Sequence, residues 1–464
     1  MIEEGREYVG EDTTATTLLG LEGVDVVDVD AEDDGSATVY VQTAVAVACP
    51  DCATPASRAK ERLACRLRDV PYGMRRMRVV WFKRRWYCTN GACGRGSFTE
   101  ALVDLPSRRR STARLRAGCA AAIARSGRTV AEAADAHAVS WHTAHDAFAE
   151  AVDPSLADEP APVRHLGIDE VRRGRPRFAR DPATGETRQL ADRWHTGFAD
   201  LTGAQGLLGH VEGRSADDVI SWLAQRSPEW RAGVQTVSID MCMSFRAATR
   251  KTLPNATVCV DAFHLVQLAN KMVTNVRWRI VRAKYGRRGR KDDPEYGIKR
   301  LLGRNLEDLR PDQLAKLWNT MADDPALADL HVAWIAKEKL RDLLALRITR
   351  SHTTPAASVV RDRWVSLLMW CADNSHIPEI ATFTHTLDAW RAEIINAVRT
   401  GASNAGSEGV NRIQKLDARA AFGYRNPENQ RRRARTATLR STQRSHTVTD
   451  KHRLWVTGPQ HKPG

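Results

Sequence analysis

Basic residues are almost missing from the first 35 positions, where Arg6 stands among Glu3, Glu4, Glu7, Glu11, Asp12, Asp25, Asp28, Asp30, Asp33 and Asp34. That start lacks the cationic region of a secretory signal. Apolar runs of transmembrane length are missing throughout, which argues against a helical membrane span and a membrane partner. Cysteine is sparse, nine in 464 residues. In a chain read as cytoplasmic, those thiols are expected to hold a metal or lie buried rather than pair as disulfides.

What is present is charge and core. The chain of 51.6 kDa is 42% hydrophobic and carries a formal charge of +14 with a pI near 9.6. That length predicts two to four domains, and that charge predicts a polyanionic partner, nucleic acid above all, with a nucleoid-associated location.

Residues 1–36 read as an acidic, solvated leader, although the apolar-acidic alternation from Leu18 to Asp30 also suits a strand or short helix. Residues 37–105 follow as a small module with strands at Ala37–Val45, Met77–Phe82 and Arg85–Tyr87. Its cysteines fall as Cys49-x2-Cys52 and Cys88-x4-Cys93, two knuckles that can close a tetrahedral Zn²⁺ site and stabilise a module too small for a large core. Arg75, Arg76, Arg78, Lys83, Arg84 and Arg85 interleave there with Trp81, Phe82, Trp86 and Tyr87; the mix suits nucleic-acid contact, and the aromatics equally suit a ribbon core. Residues 106–152 read as three helices. Thr129 with Glu132 forms a capping box, and Ser140 caps a third helix ending at Ala151. The pattern fits a helix-turn-helix whose last helix offers Trp141, His142, Thr143, His145 or Asp146 to DNA; a plain helical hairpin shares it. The Pro-rich stretch 153–162 reads as a linker.

From Val163 strands alternate with helices in the order β-β-β-α-β-α-β-α. That is the element order of a ribonuclease H-like fold, in which the first and fourth strands are neighbours. Asp169 and Asp240 each close an apolar strand-like run, His165-Leu166-Gly167-Ile168 and Val237-Ser238-Ile239. A third carboxylate, Glu408, lies far downstream in Ser403-Asn404-Ala405-Gly406-Ser407-Glu408-Gly409-Val410-Asn411. Glu170 and Asp261 are acidic neighbours able to compete for the same role. Residues 163–275 and 396–440 therefore read as one catalytic α/β domain, interrupted at 276–395 by an all-helical insertion with helices near Leu301–Trp318, Ala326–Thr349 and Ser358–Trp370. Trp318, Trp334, Trp364, Trp370 and Trp390 read as its core anchors. Arg287, Arg288 and Arg290 form an exposed phosphate-contacting loop or a merely solvated charge run. Residues 441–464 read as a mobile basic tail.

The cysteine knuckles, Leu166-Gly167-Ile168-Asp169-Glu170, Ser238-Ile239-Asp240-Met241, Asp261-Ala262-Phe263-His264, the Ser403–Asn411 stretch and Gly423-Tyr424-Arg425-Asn426 together resemble the ISL-three family of bacterial insertion-sequence transposases, over about residues 45–440. The resemblance implies a multidomain α+β protein with an N-terminal zinc ribbon, a helix-turn-helix and a ribonuclease H-like catalytic domain. Asp169, Asp240 and Glu408 match the family's acidic (DDE) triad, with Asp261, His264, Asn404 and Asn411 in support. It implies Mg²⁺ or Mn²⁺ at the acids, Asp169 bridging two ions, and structural Zn²⁺ at the cysteines. The implied activity is metal-dependent DNA cleavage and strand transfer on the element's terminal inverted repeats and target DNA, by a homo-oligomer in a synaptic complex. One departure is Gln414-Lys415, where the family often reads Ile-Lys; it is expected not to affect catalysis. A non-catalytic regulator descended from a transposase, or a nuclease that cuts without joining, would share most of these features.

Overall fold

The computed structural model describes residues 13–456, apart from 74, 107–108, 175–176, 192 and 348–352, and side chains as far as 442. The chain forms two compact units, divided after Asp158.

The first unit is built on a twisted sheet ordered β1 (Val24–Ala31), β2 (Ala37–Thr43), β4 (Arg75–Tyr87), β3 (Ala59–Tyr72), with β5 (Ser97–Thr99) also on β4. Period-two alternation sends Leu67, Val79 and Trp81 into one core with Val26, Val39 and Val41. Trp81 is therefore a core residue, with its indole N–H donating to Thr43 Oγ1 at 3.0 Å. The expected leader is corrected from Thr13 onward. A short helix α1 (Thr13–Leu19) and β1 join the sheet, burying Leu19, Leu21, Val24 and Val26. The apolar-acidic alternation from Leu18 to Asp30 thus takes in the strand it also suited, with Val24 and Val26 turned inward; positions 1–12 lie outside the described residues.

Helices α2 (Ala113–Ala124), α3 (Val130–Ala136) and α4 (Trp141–Ala157) close the unit around Leu115, Ile123, Ala133, Ala144 and Phe148. Thr112, Thr129 and Ser140 cap them through their side chains, and the Thr129–Glu132 box is formed. Helix α4 runs through Pro154 to Ala157, so the linker is shorter than expected.

The second unit holds a five-stranded sheet ordered β10 (Leu207–Glu212), β9 (Trp194–Asp200), β6 (His165–Arg172), β11 (Thr236–Ile239), β12 (Thr257–Val260). A hairpin of β7 (Arg177–Arg180) and β8 (Thr187–Ala191), not read from the sequence, stands apart from it. Strands β6, β11 and β12 run parallel with Ile168, Ile239 and Val260 in register. One sheet face, with Leu166, Ile168, Phe198, Val237, Ile239 and Val260, joins the large core. That core takes in α5 (Ala216–Ala224), α6 (Pro228–Gly233), α7 (Met243–Thr252) and α8 (Ala262–Tyr285). It continues without a break into α9 (Pro294–Gly297), α10 (Lys299–Leu302), α11 (Pro311–Ala322), α12 (Ala328–Ala345), α13 (Ala357–Asp373), α14 (Pro378–Ala389) and α15 (Arg391–Thr400). Trp334, Trp364 and Trp390 are buried anchors and Trp370 is half-buried, whereas Trp318 is exposed, against expectation, and meets His331 edge-on.

The other sheet face receives α16 (Ala405–Ala420) and α17 (Pro427–Val456) through Ala199, Leu207, Val410 and Ala434. Helix α17 carries the chain through the expected basic tail as far as Val456, and 457–464 lie outside the described residues.

Candidate active site

Three adjacent parallel strands carry the same short pattern, apolar–small–apolar–Asp: Leu166-Gly167-Ile168-Asp169, Val237-Ser238-Ile239-Asp240 and Val258-Cys259-Val260-Asp261. Because Ile168, Ile239 and Val260 are in register, the three aspartates fall at one level, one residue further on. Alternation turns the isoleucines and Val260 into the core and the aspartates to the face that α16 covers. Strand β6 continues past Asp169 to Arg172, so Asp169 lies inside the strand rather than at its end.

Helix α16 comes close to β6 at one point. A Cβ on Gly167 would lie 2.1 Å from Ser407 Oγ, so only glycine lets the helix approach there. This contact carries Glu408, Asn404 and Asn411 to the row of acids. Asn411 Nδ2 donates to Asp169 Oδ2 at 2.7 Å, and the Glu170 amide donates to Asp169 Oδ1 at 2.7 Å. Asn404 Nδ2 donates to Asp240 Oδ1 at 3.2 Å, and its backbone N–H to Asp261 Oδ1 at 3.0 Å. Asp261 also caps α8 by accepting from the Phe263 amide. The carboxyl of Glu170 turns to Arg214 instead.

The ligand-bearing atoms that lie within 4.8 Å of one another are those of Asp261, His264 and Glu408. His264 Nε2 sits 3.3 Å from Asp240 Oδ2 and so links that group to Asp240 and Asp169. Glu408 therefore groups with Asp261 and His264, and Asp240 meets that group through His264, while neither Asp169 nor Asp240 belongs to it. Glu408 is exposed, while Asp261 is buried.

Burial, then the charge of Asp240, pushes the Asp169 carboxyl up to about 7, although the Glu170 and Asn411 donors oppose it. Asp240 is raised too, by burial foremost. Asp169 and Asp240 held against their own ionisation, with a buried Asn404 Oδ1 that has no hydrogen-bond partner among the described residues, make an oxygen-rich set fit for a hard divalent cation.

In the first unit Cys49, Cys52, Cys88 and Cys93 have all four sulfurs within 4.8 Å of one another. Cys52 and Cys88 are 3.6 Å apart, near the ~3.8 Å edge of a tetrahedral thiolate–zinc site. The Thr54 hydroxyl and amide lower Cys52 to about 6. Ala53 takes a left-handed φ of 56° to fold the first knuckle. Cys65 takes no part.

The expected DNA-contacting residues fare differently. Trp141 and His142 are exposed at the start of α4, and Trp141 stacks on half-buried His145 at 4.8 Å. Thr143 is tied to its cap, with Oγ1 2.9 Å from Ser140 Oγ. Arg288 and Arg290 are exposed. Arg287 instead makes two 2.8 Å bonds to Asp293, which removes it from a freely exposed cationic loop.

A transposase family, the ISL3 (ISL-three) group of DDE transposases, matches residues 181–434, more than half the chain. The chain belongs to the ISL-three family of transposases. The transposase for insertion sequence element IS1001 of Bordetella parapertussis is 25% identical to it over 421 residues, covering 89% of this chain and 94% of that one. The transposase for IS1557 of Mycobacterium tuberculosis is 27% identical over 292 residues, 58% of this chain and 59% of its own length. A solved Drosophila P element transposase strand transfer complex overlaps 70% of this chain and 91% of its own at 10% identity. Its TM-score of 0.37 is too low to bear on the argument. In this transposase the family match takes in Asp240, Asp261, His264, Glu408 and Asn411, and begins after Asp169. Among the described residues no helix is long and apolar enough to cross a membrane.

Proposed function

We propose that this DNA transposase cuts and joins DNA at a divalent-cation centre held by Asp169, Asp240 and Glu408, with Asp261 and His264 completing the cluster. The observation that carries the reading is the row of three aspartates on adjacent in-register strands, roofed by the helix that bears Glu408. The sheet order supports a ribonuclease H-like domain interrupted by helices. When bound, paired Mg²⁺ or Mn²⁺ ions would stabilise the attacking and leaving oxygens of an in-line phosphodiester displacement. Asn404 and Asn411 hold the carboxylates by donating to them. His264 lies within reach of both Asp240 and Glu408 and so bridges the two acids.

Four thiolates holding Zn²⁺ keep the first unit folded, and α3–α4 act as a helix-turn-helix that offers Trp141, His142 and His145 to the element ends. Exposed Arg288 and Arg290 contact phosphates, and two copies or more act together on two ends.

The test is a strand-cleavage and strand-transfer assay on DNA carrying the flanking inverted repeats, with Mg²⁺, for Asp169→Asn, Asp240→Asn and Glu408→Gln. Each substitution is expected to lower cleavage at least about 1,000-fold, about 4 kcal/mol of barrier, while end binding persists. Cleavage by Asp240→Asn near the wild-type rate would remove that residue from the centre. Cutting by the unaltered chain without joining of pre-cleaved ends would mark a nuclease instead.

A further inference from the structure

Helix α16 buries Ser407, Val410, Asn411 and Gln414. Three of these four inward side chains are polar, where an amphipathic helix ordinarily turns an apolar stripe to its core. Two of the three belong to a chain of hydrogen bonds that runs one way. His210 Nε2 lies 2.5 Å from Gln414 Oε1 and donates to it. Gln414 Nε2 donates to Asn411 Oδ1 at 3.0 Å, and Asn411 Nδ2 donates to Asp169 Oδ2 at 2.7 Å. His210, Gln414 and Asn411 are only 3%, 3% and 5% exposed, so water does not substitute freely for these partners.

The direction is fixed by what each group can do. An amide whose oxygen is engaged by a donor turns its NH₂ the other way. Gln414 accepting from His210 must therefore donate to Asn411, and Asn411 must then donate to Asp169. Reversing any member would set the Asn411 oxygen against the Asp169 carboxylate. His210 Nδ1 has no hydrogen-bond partner among the described residues, nor has either nitrogen of neighbouring His195. The Gln414 contact alone sets the His210 tautomer. Every dipole in the chain points its positive end at Asp169, an arrangement in which successive bonds polarise one another.

We propose that His210 and Gln414 are positioning residues for the transposition chemistry, acting through Asn411 to fix the orientation of the Asp169 carboxylate. This rests on Asp169 being one of the cation-holding acids. It runs counter to the expectation that the Gln414 departure from the family's isoleucine leaves catalysis untouched. In this chain Gln414 and His210 form a matched pair, and an apolar residue at 414 would leave both His210 Nε2 and Asn411 Oδ1 without partners.

Partners that orient a metal-holding carboxylate typically change metal affinity or activity 10–100-fold when removed. The experiment compares the full chain with Gln414→Met, Gln414→Glu and Asp169→Asn. The readouts are Mn²⁺ affinity of the DNA-free protein by electron paramagnetic resonance, single-turnover cleavage of pre-bound ends, and thermal melting. Gln414→Met is expected to weaken Mn²⁺ binding and cleavage about 10-fold or more while end affinity stays within about 2-fold. Gln414→Glu is expected to be worse than Gln414→Met, because a carboxylate offers Asn411 no donor and turns the Asn411 oxygen onto Asp169. Independently of any variant, ¹⁵N resonances of the unaltered protein should show the His210 proton on Nε2.

A His210 proton on Nδ1 overturns the proposal, as does Gln414→Met binding Mn²⁺ and cleaving like the unaltered chain. If Asp169→Asn still cleaves, the assignment of the acids fails and takes this inference with it. If Asp169→Asn is dead and Gln414→Met is not, only the relay falls.

Discussion

The two candidate metal sites of this chain are assembled in opposite ways. The four cysteines lie between Cys49 and Cys93, on two knuckles of one small sheet unit. The acids come from strands and helices hundreds of positions apart; Asn411 and Asp169, which share a hydrogen bond, are 242 residues apart. A thiolate site is set by local spacing and stands or falls with its own unit. A carboxylate site of this kind is set by strand register and by how closely one helix approaches a sheet.

The sharpest way to break that contrast is Cys49→Ser, or chelation of the full chain. Each should abolish the melting transition of the first unit, a loss of about 3 kcal/mol or more. End binding should fall at least about 100-fold while the second unit's transition stays put, as calorimetry with a metal assay would show. If both transitions move together, the cysteine site is not local. Next in size is Gly167→Ala, which sets a methyl 2.1 Å from Ser407 Oγ and 3.0 Å from Leu201. It should cost about 2 kcal/mol by overpacking and lower cleavage about 100-fold, with the first unit's melting unchanged. Normal activity in that variant would mean the helix contact does not position Glu408.

A smaller effect concerns pH in metal-free protein. Burial and the neighbouring Asp240 charge push the Asp169 carboxyl up to about 7 in the folded chain, against about 3.9 for a free carboxyl, so the folded state holds the proton more tightly. Its contribution is fully present below pH 4 and is lost as pH rises toward 7 and beyond. Asp169→Asn should therefore be more stable than the unaltered chain at pH 8 and match it near pH 4. Denaturant melts in chelator at the two pH values decide it, and added Mn²⁺ should reverse the order at pH 8. The smallest contrast lies in the basic loop. Arg288→Ala should lower the salt dependence of DNA binding by about one unit, whereas Arg287→Ala, which breaks the Asp293 pair, should chiefly shift melting.

Much of the second unit could be read early because strands repeat a short motif. Ile168-Asp169 and Ile239-Asp240 stand out as apolar runs closed by acids, and Val260-Asp261 repeats the form, which is why Asp261 entered as a competitor. Strand β3 escaped notice because exposed Lys60, Arg62, Arg66 and Arg68 interrupt its few inward residues. Strand β1 was legible only as an alternation that a solvated leader explains equally well, because acids alternate with Val24 and Val26. Trp318 was misjudged since tryptophan spacing does not reveal which face of α11 is covered. Gln414 was set aside because nothing near it in the chain announces His210, 204 residues upstream.

By itself the sequence determined the cysteine knuckles, the Thr129 and Ser140 caps, and which residues of each strand face together, because these follow from spacing along a few turns or a few residues. Only the tertiary structure decided that Glu408 groups first with Asp261 and His264, that Gly167 admits Ser407, and that Gln414 reaches Asp169 through Asn411. Those facts depend on register between strands and on the approach of a helix from far along the chain, and neither is encoded in the spacing of neighbours.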